Sequence, residues 1–223
     1  MILPTEKILE YIESLYSSET LNREKYTSES EPTEEGEVID ADVARLFKIL
    51  LMLKRPHKIL EIGTSVGYST VTMAQIAQTY GGQITTIELD PVSADKARQN
   101  FSQYEVSNNI KIIEGDAKIV VPGLTDTFDY IFMDVGDKSL YKELTDICVD
   151  RLNPGGIFLA EDSLFGAFKY KNNYISQYPD FDGYIDSLDE FNSLISKNTK
   201  LLSTLLPIGD GVTLAIKSHD KIA

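Results

Sequence analysis

The stretch KILEIGTSVGYST, residues 58–70, joins an apolar run to a glycine-containing turn and then to the start of a helical pattern. The same succession recurs along the chain, and its later apolar runs are QITTIEL (83–89), IKIIEG (110–115), FDYIFMD (128–134) and GGIFLAE (155–161). Short strands that alternate with amphipathic helices predict a parallel sheet with helices on both faces.

The C-terminal part of the chain departs from this rhythm. Residues 163–184 are rich in aromatics and have no clean period, so we expect an insertion over the sheet edge, followed by a short helix around LDEFNSLI (188–195). The stretch KLLSTLLPIGDGVTLAIK (200–217) then carries two apolar runs about a Pro and Gly-Asp-Gly turn, which predicts a hairpin. The expected fold class is therefore α/β, with a mostly parallel seven-stranded sheet and a C-terminal antiparallel hairpin.

A length of 223 residues suits one α/β domain covering the whole chain. Residues 1–55 are predicted to supply two N-terminal helices and an acidic linker between them, and residues 56–217 the core. Asp40 or Asp42 can start the second helix, which Pro56 ends because proline cannot continue the backbone hydrogen bonding of a helix.

Charge and hydropathy limit the partners we expect. The formal charge of −14 opposes binding to nucleic acid or to an anionic membrane surface. The longest apolar run, LFKILLML at 46–53, is too short to span a bilayer, so we expect a cytoplasmic protein. The single cysteine, Cys148, falls among apolar helical positions, where a buried thiol is expected.

Ligands of an open parallel sheet bind beyond the carboxyl ends of its strands. The first such end offers Glu61, Gly63 and Gly67, but Ser65 and Tyr68 stand where a dinucleotide fingerprint requires glycine. The diphosphate-binding loop of a nicotinamide oxidoreductase is therefore absent. A carboxylate at this position suits a ligand with an ammonium group, and the glycines let that ligand approach the backbone.

The next two strands end in Glu88 and at Asp116. Glu88 lies 25 positions after Gly63, about where an acid binds ribose hydroxyls in nucleotide-binding α/β folds. Asp116 can accept a hydrogen bond from an adenine amino group. An adenosine with a charged amino-acid tail is S-adenosylmethionine, which we predict as the cofactor.

Several stretches resemble the small metal-dependent O-methyltransferases, the family of catechol and caffeoyl-CoA O-methyltransferases. They are EEG (34–36), LEIGTSVGYST (60–70), TTIELD (85–90), EGDA (114–117), FDYIFMD (128–134) and LPIGDGVTLAIK (206–217). The resemblance implies a Rossmann-like fold that binds S-adenosylmethionine. It also implies that the residues at the first three strand ends bind that cofactor. The methionine part would be surrounded by Glu61, Gly63, Ser65, Gly67 and Ser69. The ribose would be bound by Glu88, and the adenine by Asp116 with Ala117.

The resemblance further implies a divalent cation at the ends of the fourth and fifth strands. Asp134 fits the first ligand position and can also face the methyl donor, whereas Glu161 and Asp162 stand where relatives carry Asp and Asn. Oxygen ligands suit Mg²⁺, with Mn²⁺ or Ca²⁺ as alternatives. A cation bound to two adjacent oxygens would orient a hydroxylated acceptor and lower the pKa of its hydroxyl. In the competing interpretation, Asp134 caps the next helix and the other two carboxylates bind only water.

Lys138 resembles the lysine that accepts the acceptor's proton in this family. Relatives have two residues between the aspartate and this lysine, whereas Asp134 and Lys138 are separated by three. Gly136 could allow a bulge that returns the lysine to the site, or Lys138 could point to solvent as a first-turn residue.

Three functions remain open at this stage. The first is metal-dependent methyl transfer to a catechol-like or other hydroxylated small molecule, with Lys138 and Asp134 as catalytic residues. The second is methylation of a hydroxylated uridine in tRNA, which the acidic charge disfavours. The third is binding of S-adenosylmethionine or its product without turnover. The resemblance also implies a homodimer, for which the apolar second helix could supply the interface.

Overall fold

A computed structural model describes residues 38–170 and 182–219, together with seven single residues nearer the N-terminus, Lys7, Tyr11, Ser14, Leu15, Leu21, Arg23 and Tyr26. Most of the predicted first helix and of the acidic linker at 17–38, the EEG stretch at 34–36 and residues 171–181 of the expected insertion lie outside the described residues.

The described part alternates strands with helices as the sequence predicts. The strands are β1 Lys58–Ile62, β2 Gln83–Glu88, β3 Ile110–Glu114, β4 Phe128–Met133, β5 Leu152–Ala160, β6 Leu201–Leu206 and β7 Val212–Lys217. The α-helices are α1 Ala41–Lys54, α2 Tyr68–Ala77, α3 Pro91–Gln103, α4 Ala117–Gly123, α5 Ser139–Arg151 and α6 Asp182–Lys197. Short 3-10 segments cover Gln78–Tyr80, Ser107–Asn109 and Ser163–Tyr170.

The seven strands form one sheet in the order β3-β2-β1-β4-β5-β7-β6. The first five strands in this order pair in parallel, whereas β7 runs antiparallel to both β5 and β6. The predicted fold class, a mostly parallel sheet with a C-terminal antiparallel hairpin, is confirmed. Its carboxyl edge collects the ends of β1 to β5, where the candidate site residues lie.

Successive side chains of the central strands enter two separate cores, one on each face. On β4, Tyr130 and Phe132 pack in the core with helices α1 to α3, while Ile131 and Met133 pack in the core with α4 to α6. The alternation follows from the two-residue period of a strand, and the unbroken apolar run at 130–133 follows from coverage of both faces. The helices on both faces are thus confirmed as well.

Local signals set most helix boundaries. Asp90 accepts hydrogen bonds from the backbone N–H groups of Val92 and Ser93, at 3.3 and 2.9 Å, and Pro91 follows it at the first position of α3. Helix α1 begins after Asp40 and ends one residue before Arg55, which adopts a left-handed conformation ahead of Pro56.

Two elements are longer than the sequence indicated. Helix α6 has 16 residues rather than a single short stretch, because Ile185, Leu188, Phe191 and Ile195 bury one continuous face. Strand β5 begins at Leu152, directly after α5, with a register shift against β4 between Phe128 and Tyr130. Over the described ranges, no helix combines the length and apolar character that crossing a membrane requires.

Candidate active site

The loop after β1 is held against the end of β4 at Gly63. This glycine has φ of +97°, and a Cβ there would lie 1.7 Å from the backbone oxygen of Asp134. Only glycine fits such a contact, since any side chain would push the two strand ends apart. The tight approach brings the predicted methionine-binding loop next to the predicted metal and acceptor residues.

Gly67 is required for a different contact. It has φ of +88° at the start of α2, and a Cβ there would lie 2.6 Å from the ring of Phe101 in α3. The neighbouring carbonyl of Val66 accepts hydrogen bonds from the Tyr26 hydroxyl and the Asn100 amide, both at 2.8 Å. Packing between two parts of the same chain therefore accounts for this glycine and holds the loop in place without a ligand.

Glu61 is fully buried at the end of β1. Its carboxylate accepts hydrogen bonds from the hydroxyls of Ser69 at 2.6 Å, Thr70 at 2.5 Å and Thr86 at 2.6 Å. Burial raises the pKa of Glu61 to about 7, although the three hydroxyls oppose this shift. In this arrangement the carboxylate ties β1 to α2 and β2.

Glu88, at the end of β2, accepts three backbone hydrogen bonds. They come from the N–H groups of Thr64 at 3.1 Å, Ser65 at 2.7 Å and Asp90 at 2.9 Å. Ser65 adopts φ of +48°, and its buried hydroxyl has no hydrogen-bond partner among the described residues. A positive φ and an unpaired buried hydroxyl in one serine mark a strained position of the kind that clusters at ligand sites.

Asp116 begins α4 as its N-cap. Its carboxylate accepts a hydrogen bond from the backbone N–H of Lys118 at 2.8 Å, and the adjacent Ala117 is buried. The structure thus brings the predicted cofactor residues to the carboxyl ends of β1, β2 and β3, which are neighbouring strands in the sheet.

Lys138 turns inward at the end of β4, with only 11% of its side chain exposed. Its ammonium group forms an ion pair with Asp162, lies 3.5 Å from the carboxylate of Asp134, and lies 3.4 Å from the hydroxyl of Tyr141. The structure therefore places Lys138 between two predicted metal ligands rather than in solvent. Gly136 has no positive φ, and a Cβ there would meet no atom within 4 Å, so the loop does not depend on glycine for the bulge that we expected.

The pKa of Lys138 lies well above its usual value. Burial lowers it, but attraction to Tyr141, Asp134 and Asp162 outweighs the burial. Desolvation alone would have favoured a neutral lysine able to accept a proton, and the structure shows the opposite direction. At neutral pH this side chain is an ammonium group that stabilises negative charge.

Two carboxylates after β5 complete the cluster. Glu161 is buried and its side chain hydrogen-bonds to Asp134, while Asp162 adopts φ of +59° and thereby turns its carboxylate toward Lys138. Burial is the main cause that raises the pKa of Asp162 to about 6 and the pKa of Glu161 well above its usual value. The repulsion among the three carboxylates adds to both shifts.

The predicted metal ligands lie together but not as a metal centre. Across residues 38–170, 182–219 and the seven single positions, no group of three His, Cys, Asp or Glu side chains is arranged to hold a metal ion. Asp134 and Asp162 instead share the ammonium of Lys138, and Glu161 shares a hydrogen bond with Asp134. In this arrangement one oxygen of Asp134 and one of Asp162 face an ammonium group.

The hairpin turn supports the loop after β5. Ser163 and Leu164 donate backbone hydrogen bonds to the carbonyls of Gly211 at 3.0 Å and Asp210 at 3.1 Å. A Cβ on Gly211 would lie 2.5 Å from Leu164, and Asn192 of α6 donates to the Ser163 carbonyl at 2.7 Å. The Gly-Asp-Gly turn thus fixes the position of Asp162 and Glu161.

Sequence reasoning did not assign three of the residues that shape the site. Tyr141 is buried beneath Lys138, with the ammonium 5.2 Å from its ring centre. Its position three residues after the lysine was the sequence signal that could have indicated this contact. Thr70 and Thr86 bind Glu61, but a threonine near a strand or helix end gives no signal of its own.

Together, the seven-stranded sheet, the glycine loop after β1 and the acidic residues at the following strand ends define the class of this protein, an α/β S-adenosylmethionine-dependent methyltransferase. A family model described as O-methyltransferase matches residues 12–218. The chain belongs to this O-methyltransferase family, and the resemblance found in the sequence is confirmed.

Individual relatives agree with this assignment. The O-methyltransferase ankF of Aspergillus thermomutatus is 31% identical over 186 residues, which are 79% of this chain and 77% of the relative. A catechol O-methyltransferase of Niastella koreensis is 27% identical over 187 residues, 80% of this chain and 81% of the relative.

Solved structures share the fold. The S-adenosylhomocysteine-bound methyltransferase PaMTH1 of Podospora anserina has a TM-score of 0.81 at 24% identity, covering 99% of both chains. TomG of Streptomyces achromogenes, in complex with S-adenosylmethionine, has a TM-score of 0.80 at 20% identity, covering 97% of this chain and 100% of TomG.

Proposed function

We propose that this protein transfers the methyl group of S-adenosylmethionine to a hydroxyl group of a small molecule bound at the ends of β4 and β5. One observation carries the proposal. Asp134 touches both halves of the site, because its backbone oxygen packs against Gly63 in the loop after β1 and its carboxylate faces Lys138. A methyl donor on that loop and an acceptor beside Lys138 would therefore be neighbours, as in-line transfer requires.

On the donor side, the proposed contacts follow the strand ends. Glu61, Ser65 and Ser69, with the loop glycines, would surround the methionine part, and the unpaired hydroxyl of Ser65 supports this assignment. Glu88 would bind the ribose, and Asp116 with Ala117 the adenine. A ribose at Glu88 would use carboxylate capacity beyond the backbone hydrogen bonds that this side chain already accepts.

The proposed reaction forms a bond between the acceptor oxygen and the methyl carbon and breaks the bond between that carbon and sulfur. The sulfonium becomes a neutral thioether, and the acceptor loses its hydroxyl proton. Lys138 is already protonated, so its role is to stabilise the negative charge that develops on the oxygen. The proton then passes to one of the carboxylates that flank the ammonium, Asp134 or Asp162.

The acceptor we propose is a catechol-like or other hydroxylated small molecule. Residues 163–184, the expected insertion over the sheet edge, are described only in part, and the choice among hydroxylated molecules rests on the family. The net charge of −14 weighs against tRNA as an acceptor, because nucleic-acid binding depends on neutralising phosphates.

The Mg²⁺ ion that we predicted does not fit the residues as they are arranged. A divalent cation needs carboxylate oxygens that converge on it, with room at about 2.0–2.6 Å from each. Here the ammonium of Lys138 stands between Asp134 and Asp162, and Glu161 is bonded to Asp134. The proposed transfer is therefore derived without a metal step.

The test is a product assay with purified protein, S-adenosylmethionine and a panel of phenols and catechols, read by mass spectrometry, with calorimetry for cofactor binding. Methylated small molecules support the proposal. Cofactor binding without any product would instead favour a binding protein, and product formed only with hydroxyuridine-containing tRNA would favour the nucleic-acid acceptor.

We also propose a homodimer that uses α1. Apolar side chains of this helix remain 52%, 66% and 79% exposed at Ile49, Met52 and Leu53. Light scattering during size-exclusion chromatography would test this, with Met52→Asp expected to shift the mass toward one chain.

A further inference from the structure

We propose that the ammonium group of Lys138 is a built-in cation that takes the place of a divalent metal at the ends of β4 and β5. Methyl transfer by this chain would then be independent of Mg²⁺. The inference rests on the proposed function for its catalytic meaning, but its structural content, the exclusion of a metal by a lysine, can be tested alone.

The first support is the position of the ammonium. Asp134 and Asp162 are two of the three side chains that the sequence assigns to the metal, and both face the nitrogen of Lys138. A divalent ion bound to the same two carboxylates would lie within a few ångströms of that nitrogen. Two positive charges so close repel each other strongly where little water screens them.

The second support is the way the lysine is fixed. The side chain is 11% exposed and lies against the ring of Tyr141, which in turn packs edge-on against Phe191 at 5.4 Å between ring centres. Asp137 accepts hydrogen bonds from the backbone N–H and the hydroxyl of Ser139, at 3.0 and 2.6 Å, and holds the first turn of α5. Lys138 is therefore positioned by its surroundings rather than free to swing into solvent.

The third support comes from two places where the sequence departs from the pattern that the family resemblance implies, and these two places meet in space. Relative to the pattern that the resemblance implies, one extra residue separates Asp134 from Lys138 and moves the lysine one position further along the loop before α5. After β5, Asp162 stands where relatives have a neutral Asn, and its positive φ directs the added charge to the lysine. The displaced ammonium thus has the Asp162 carboxylate as its partner.

Replacing a metal with an ammonium changes what the site can recognise. A divalent ion can bind two adjacent oxygens of an acceptor at once, whereas a lysine is a single point charge with three hydrogen-bond donors. The site can therefore stabilise one developing oxyanion and has no chelating requirement for a vicinal diol.

The experiment compares wild type, Lys138→Gln and a matched control, Lys142→Gln, in the full chain. Lys142 lies one turn further along α5, half-exposed and paired with Glu190, away from the predicted ligands. Binding of Mn²⁺ is measured by electron paramagnetic resonance and confirmed for Mg²⁺ by calorimetry. We expect no binding at the site in wild type or in Lys142→Gln, and a gain of at least about a hundredfold in affinity in Lys138→Gln.

Stoichiometric Mn²⁺ binding by the wild type would overturn the inference, and so would loss of its methyl transfer in a chelator. If Lys138→Gln does not fold, as judged by circular dichroism, the wild-type measurement still decides the question, and Lys138→Arg, which keeps the charge, should also bind no metal. Failure to find any methylated product would count against the proposed function alone, because the metal-binding pattern is read without turnover.

Discussion

Replacement of Gly63 by alanine tests how the two halves of the site are joined. A methyl group at this position would lie 1.7 Å from the Asp134 carbonyl oxygen, with Val135 at 3.2 Å, so the backbone must move. The left-handed conformation of Gly63 costs an alanine about 1–2 kcal/mol, and overpacking of this kind costs about 1–3 kcal/mol more. We expect Gly63→Ala to lower the free energy of unfolding by about 2–5 kcal/mol.

Gly136→Ala is the matched control. Gly136 lies in the loop after β4, two residues from Asp134, and a Cβ there would meet open space at an ordinary φ. Its replacement should be neutral or stabilising by up to about 1 kcal/mol, because alanine restricts only the unfolded chain.

For a chain of this size, the loss of stability in Gly63→Ala corresponds to a melting temperature lower by roughly 4–20 °C.

The assay is urea unfolding of both variants and wild type, followed by calorimetric binding of S-adenosylmethionine. Gly63→Ala should also weaken cofactor binding, since its loop and Asp134 can no longer keep their distance. The reasoning is refuted if Gly63→Ala unfolds within about 0.5 kcal/mol of wild type, or if Gly136→Ala is as damaging.

Three further predictions follow from buried or bonded side chains. The pKa of Glu61 is about 7 in the folded protein against a usual 4.5, so between these pH values the folded state binds more protons than the unfolded state. The free energy of unfolding therefore falls by about 3 kcal/mol as the pH rises through that window. Glu61→Gln should remove this pH dependence. Between pH 5 and pH 8 the free energy of unfolding of the variant should therefore rise relative to that of wild type, and a constant difference between the two proteins would contradict the prediction. Glu88→Gln should weaken S-adenosylmethionine binding by at least about tenfold in calorimetry, whereas Glu114→Gln, at the paired end of β3 and engaged by Arg98, should not. Burial raises the pKa of Cys148 to about 12, so a thiol reagent such as DTNB should label it only after unfolding.

The order of elements and their exposure could be predicted from the sequence because both depend on local pattern. FDYIFMD carries a continuous apolar run because β4 is covered on both faces, and that run, with its short length, indicates a central parallel strand. The loop at 63–67 could be placed at the carboxyl edge for the same reason. Strand β5 was predicted too short because its first residues, Leu152 and Asn153, precede a Pro-Gly-Gly stretch that reads as a turn.

The roles of the site residues depended on contacts between distant parts of the chain, which local pattern does not report. Gly63 and Gly67 were interpreted as room for a ligand, but each faces a specific partner, Asp134 in one case and Phe101 in the other. The proton-accepting role that the resemblance implied for Lys138 took no account of the carboxylates around its ammonium group. Its partner Asp162 lies 24 positions away and reaches it through a left-handed backbone, which no periodicity reveals.

Relative to the pattern that the resemblance implies, the one extra residue between Asp134 and Lys138 matters more than a substitution would. An inserted residue moves the lysine relative to every group on the neighbouring strand end, and the carboxylate of Asp162 is where the moved ammonium arrives. Once that pair forms, removing either partner leaves a largely buried charge with weaker compensation, which costs more than the pair itself is stabilising. The charge at position 162 and the position of Lys138 therefore depend on each other, and Asp162→Asn alone should damage the site more than Asp162→Asn combined with Lys138→Gln.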